Sequence, residues 1–153
     1  MLLFQKIKTF IILDNKTKFL LLEAFIFLAW ALILKAMKFS KIAPSLGNHM
    51  EETSFEYQSS NAKILRNVSN AIYIMSKYTL WESKCLVKAI AGMKMLQRRR
   101  IESTLYLGTS KDETGSMIAH AWLRSGALYI TGAEEMRRFT VVGKFAKRIS
   151  NHG

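Results

Sequence analysis

Trp81-Glu82-Ser83-Lys84-Cys85-Leu86 opens the stretch that decides the fold, and Ala127-Leu128-Tyr129-Ile130-Thr131 closes it. Ser83 fits a helix N-cap, and the helix that follows runs to about Arg98. Leu86, Ile90, Met93 and Leu96 form its apolar stripe. Arg98-Arg99-Arg100 closes it with the positive charge that suits a helix C-terminus. From Ser103 the period changes to two. Ser103–Gly108 reads as a strand, 111–115 as a polar loop, Met117–Arg124 as a second strand and Ala127–Thr131 as a third. Ser125-Gly126 fits a two-residue hairpin turn. That register sets Trp122 against Tyr129 and His120 against Thr131. A last strand is expected over Phe139–Phe145. Helices followed by a run of strands define an α+β fold with an antiparallel sheet.

Two residues in this stretch carry chemistry. Cys85 lies in the first turn of its helix, where unpaired backbone N–H groups and the dipole favour negative charge. The thiolate is the reactive form of cysteine, and such a site favours it. A free cysteine is equally at home as a small buried filler. His120 stands on a strand, followed by Ala121 and Trp122. Together they supply a thiol nucleophile and an imidazole to take and return its proton. The Cys85 backbone N–H is a candidate oxyanion donor. Trp81, with its donor-only indole one turn earlier, is a second.

The N-terminal third has another character. Residues 2 to 13 are apolar with two lysines, and Asp14-Asn15 offers an N-cap. Phe19 to Leu34 is apolar apart from Glu23 and is flanked by lysines on both sides. The run falls short of the ~20 residues that cross a bilayer core, and Glu23 would be costly there. No small-x-small cleavage site follows that would mark a signal peptide. A helix covered by the core and by a partner is the favoured reading, with membrane association the alternative. Residues 41–60, with Pro44 and Gly47, read as a loop carrying His49 as an exposed residue. Ile64, Leu65, Val68, Ile72 and Met75 then give the stripe of a packing helix. The organisation is thus 1–40 apolar helices for packing and partner docking, 41–60 loop, and 61–153 core, in one domain overall.

The chain has 153 residues, 50% hydrophobic and 22% charged, which suits one folded domain. A single cysteine excludes an internal disulfide and fits a reducing cytoplasm. His49, His120 and His152 are too scattered for a zinc site, and no phosphate-binding loop is present. The chemistry needs no cofactor. The net charge of +12 suits an acidic peptide, a nucleic acid or an anionic membrane surface.

Trp81-x-x-x-Cys85-Leu86-x-x-Ala89, Leu96-x-Arg98-Arg99-x-Ile101, Leu105-x-Leu107-Gly108 and Ala119-His120-Ala121-Trp122-Leu123 occur in this order. In them the chain resembles the transglutaminase-like leader peptidase of lasso-peptide biosynthesis, in its stand-alone form, the C-terminal half of a split B protein. The resemblance implies a transglutaminase/papain-like α+β fold. It implies a cysteine protease that removes the leader from a ribosomally made precursor, with Cys85 as nucleophile and His120 as base and then acid. It implies a small leader-binding recognition protein and an ATP-dependent macrolactam synthetase as partners, in a bacterial cytoplasm. The family pattern has a third residue, usually Asp, about a dozen positions after the histidine. Here that neighbourhood is Ile130-Thr131-Gly132-Ala133-Glu134-Glu135. Thr131, a backbone carbonyl, or an inward-turned Glu134 remain to orient the ring. A non-catalytic adaptor of the same fold is the alternative. A basic membrane-surface or nucleic-acid protein is a third reading.

Overall fold

The computed structural model describes residues 2–79 and 84–150. Among the described residues five α-helices, with a short 3-10 helix at Met136–Arg138, accompany one antiparallel sheet. The helices are α1 (Leu2–Ile12), α2 (Asn15–Ala36), α3 (Phe39–Leu46), α4 (Ser59–Ser76) and α5 (Cys85–Arg98). The strands are β1 (Asn48–His49), β2 (Ser103–Lys111), β3 (Met117–Ser125), β4 (Leu128–Thr131) and β5 (Thr140–Lys147). They lie in the order β1-β5-β2-β3-β4. The α+β architecture expected from the sequence is the one observed.

α5 is the centre of the molecule. Val87, Ala89, Ile90, Ala91, Met93, Met95 and Leu96 are all buried, so the helix is covered on nearly every side rather than along one stripe. The sheet covers one side, and α2 and α4 cover the other. Gly92 marks the tightest approach to the sheet, since a Cβ there would sit 2.9 Å from Leu123 Cδ2 and 3.1 Å from Ile72 Cδ1.

α2 packs on this centre through Leu21, Ala24, Leu28 and Ala31. Asp14 caps it, its carboxylate accepting from the Thr17 N–H at 3.2 Å. Glu23, the acid inside the apolar run, turns inward to Arg99 at 2.6 Å and Arg98 at 2.9 Å. Burial would raise its pKa, yet the hydrogen bonds and charges of the two arginines hold it below the usual carboxylate range. The arginines at the end of α5 are therefore a clamp on α2, not simply a solvated helix end. α2 is one helix long and apolar enough to cross a membrane, but only 22% of its most apolar window is buried.

Two expectations need correction. Within the stretch read as a loop, α3 reaches Leu46 and β1 follows, so irregular backbone is confined to Gly47 and 50–58. Ile42 and Leu46 anchor α3, and His49 is paired with Phe145 on the sheet while remaining exposed. The β3–β4 turn is also one residue later than expected. Ser125 pairs with Leu128, so the turn residues are Gly126 and Ala127. The Ser125 hydroxyl donates to Glu102 O at 2.6 Å and keeps Ser125 in the strand. Gly126 takes the positive φ of 55° that opens the turn. A register shift between Leu123 and Arg124 then places Thr131 against Leu123, not against His120.

Candidate active site

Cys85 is the first residue of α5. Lys84 precedes it in extended conformation at φ −71° and ψ 169°, and makes no side-chain capping hydrogen bond. The first turn of a helix favours an anionic sulfur or oxyanion at this position. The thiol is half-buried and packs at the rim of the core. Trp81 and Ser83, the expected oxyanion donor and N-cap, lie outside the described residues.

His120 stands on β3 opposite Gly108 of β2. Its ring is held on three sides. It stacks on Trp122 at 5.7 Å between centroids and tilts against Phe139 at 5.0 Å. Its Nε2 lies 2.8 Å from Gly132 O. A carbonyl oxygen can only accept, so Nε2 donates, and in the neutral ring Nδ1 is left as the basic nitrogen. The orienting group is therefore a backbone carbonyl, 12 positions after the histidine.

Gly132 is fitted to that task. Its φ is +76°, and a Cβ there would lie 2.6 Å from Ala121 O, 2.8 Å from Trp122 Cβ and 3.1 Å from His120 Nε2. No side chain fits between this backbone and β3. The position at which the family pattern places an aspartate is filled by main chain alone.

The other two candidates lie elsewhere. Glu134 is exposed in the turn that follows β4. Thr131 pairs with Leu123, whose side chain reaches α5, and its Oγ1 is buried without a hydrogen-bond partner among the described residues.

Successive strand residues point to opposite faces. Ala121 and Leu123 turn to the core beneath α5. His120, Trp122 and Arg124 turn the other way, where Trp122 stacks on Tyr106 at 5.5 Å. Among the described residues no hydrogen bond joins the Cys85 thiol to the His120 ring.

The same outer face holds a polar centre that sequence reasoning missed. Arg124 is 1% exposed, yet every part of its guanidinium is engaged. It donates to Tyr106 Oη at 2.9 Å, Ser54 O at 2.9 Å, Gly126 O at 2.8 Å and Thr53 O at 3.0 Å. Phe55 covers its plane at 3.5 Å. Tyr106 in turn donates to Glu52 at 2.6 Å. Burial, and then the bond to the Glu52 carboxylate, push the phenol up to about 12. The centre pins the irregular segment 50–58 across the sheet. No periodicity or motif announces it.

The geometry is that of a helix-borne cysteine against one face of a sheet whose other face carries an oriented histidine. The family model of the transglutaminase-like superfamily matches residues 27–144, most of the chain, and the protein belongs to that superfamily. Cysteine peptidases and transferases are among its members. No curated protein and no solved structure matches the chain.

Proposed function

We propose that the protein is a cysteine endopeptidase that removes the leader from a ribosomally made lasso-peptide precursor. The observation that carries the chemistry is the oriented ring. Gly132 O fixes Nε2 as the donor, so Nδ1 is the nitrogen that accepts the thiol proton. The Cys-Leu and Ala-His-Ala-Trp motifs, in the order of the lasso leader peptidases, carry the substrate class.

Cys85 Sγ attacks the carbonyl at the leader–core junction and its proton passes to Nδ1 of His120. The first-turn N–H of Cys85 steadies the oxyanion. The C–N bond then breaks, the core amine leaves with the proton returned by His120, and the leader remains on sulfur as a thioester. Water, deprotonated by the same ring, releases it. The reaction requires sulfur and Nδ1 to meet at hydrogen-bond distance, although α5 and the His120 ring lie on opposite faces of β3. A recognition protein presents the leader, a macrolactam synthetase takes the core, and the setting is the bacterial cytoplasm. Neither Thr131 nor Glu134 is assigned a catalytic role, since the ring's orienting bond is already made by the main chain.

A second reading has an observation in its favour. His120 and the core-facing residues of β3 lie on opposite faces, and among the described residues no carboxylate is bonded to the ring. That favours an adaptor of the same fold that scaffolds the maturation complex. Reconstituted maturation of the precursor separates the two. A peptidase loses leader removal in both Cys85→Ala and His120→Ala. An adaptor keeps it in both.

A further inference from the structure

We propose that α1 and the outer stripe of α2 dock the protein on a membrane surface rich in anionic lipid, lying along it and not across it.

α2 has two apolar faces. Leu21, Ala24, Leu28 and Ala31 are packed inward. On the other side Phe19, Leu22, Ile26 and Ile33 remain 71%, 51%, 54% and 65% exposed. Charge is missing from the helix between Lys18 and Lys35 apart from Glu23, which is turned to Arg98 and Arg99. α1 carries an apolar side of its own. At helical spacing Leu3, Phe4, Ile7, Phe10 and Ile11 share one side, with Gln5, Lys6, Lys8 and Thr9 on the other. None of its residues is buried. Apolar residues on one face and lysines on the opposite one are the pattern of a helix that lies in a bilayer interface. Lys6 reaches over the Tyr78 ring at 4.7 Å and ties α1 to the domain.

Charge identifies the occupant. Lys16 and Lys18 flank the stripe at one end, Lys35 and Lys38 at the other. Before residue 51 the sequence has two acids, Asp14 and Glu23, and both are engaged within the fold. An apolar strip of roughly 24 Å over Phe19–Leu34, from 1.5 Å per residue, with cations at both ends complements acyl chains and anionic headgroups. A second copy of this chain would bring lysines against lysines. Crossing the bilayer is excluded by the inner face. Ala24, Leu28 and Ala31 are fully buried, and Glu23 is clamped to α5, so a span would have to strip α2 from the core.

The full-length chain is sedimented with vesicles of phosphatidylcholine and with vesicles of phosphatidylcholine and phosphatidylglycerol. The expected result is pelleting with the anionic vesicles, at least about tenfold weaker with neutral vesicles or in high salt. Leu22→Glu/Ile26→Glu loses that binding with an unchanged thermal transition. Lys16→Glu/Lys18→Glu, which leaves the apolar stripe whole, weakens it on anionic vesicles. Equal pelleting with both lipids, or variants that bind like the wild type, overturns the proposal. So does a wild type that stays in the supernatant, whether it then self-associates or binds a protein through this face. Neither Cys85 nor His120 enters the experiment, so its outcome is separate from that of the peptidase reading.

Discussion

Gly132→Ala isolates the contact on which the His120 ring depends. Two costs add. An L residue at a φ of +76° is in the left-handed region, at about 1–2 kcal/mol. The new methyl would sit 2.6 Å from Ala121 O, so β3 or the 132 backbone must move, with an overpacking cost of about 1–3 kcal/mol. The total is about 2–5 kcal/mol, a large part of the ~5–15 kcal/mol that holds a domain folded. Gly115→Ala is the internal standard. Gly115 has a φ of +83° and nothing within 4 Å of its would-be Cβ, so it meets only the conformational cost, about 1–2 kcal/mol. Urea unfolding of the two variants beside the wild type measures the difference. Gly132→Ala must be the more destabilised, and its leader removal must fall beyond what its folded fraction explains, because Gly132 O has left Nε2. Equal destabilisation would refute the close approach. A folded Gly132→Ala with full activity would refute the carbonyl as the orienting group.

Further outcomes follow from the same geometry. Arg124→Gln leaves carbonyls of Thr53, Ser54 and Gly126 unpaired and should cost about 3 kcal/mol in urea unfolding, among the largest effects of any outer-face substitution. Tyr106 has a folded pKa raised to about 12, above its ordinary value of 10.0. Its contribution is therefore fully present below pH 10 and is lost as pH rises towards 12; Tyr106→Phe should flatten that alkaline decline in a Tm-against-pH series. Thr131→Ala and Glu134→Ala should each leave the leader-removal rate within about threefold of wild type, since neither accepts from the ring; a loss of about a hundredfold in either would put that side chain back in the site.

Much of this was legible beforehand because it rests on local rules. The period change at Ser103, the Asp14 cap and the stripe on α4 each follow from one element's own residues. The α3 helix was not, since Pro44 and Gly47 speak for a loop and only Ile42 and Leu46, buried against the sheet end, make the helix worthwhile. The hairpin was misread by one residue because its register is set from outside, by Ser125 reaching Glu102 and Arg124 reaching Gly126. That single residue decides which atom meets His120. From the sequence a hydroxyl, a carbonyl and a carboxylate are all open, because a main-chain oxygen has no signature in a sequence, and the register brings up the carbonyl. A glycine where the family pattern has an acid was visible as a departure. Its meaning required the distances around it. Gly132→Asp is accordingly not a repair, because its Cβ has no room.

Peptidase chemistry at this site passes through a thioester at Cys85. Full-length protein is mixed with the precursor and its recognition protein, quenched in acid within the first turnovers, and measured as intact mass. The expected species is heavier by the leader, less one water, mapped to Cys85 and missing from Cys85→Ala, which no longer releases the core. Leader removal at the wild-type rate by Cys85→Ala, with no adduct on the wild type, would contradict it.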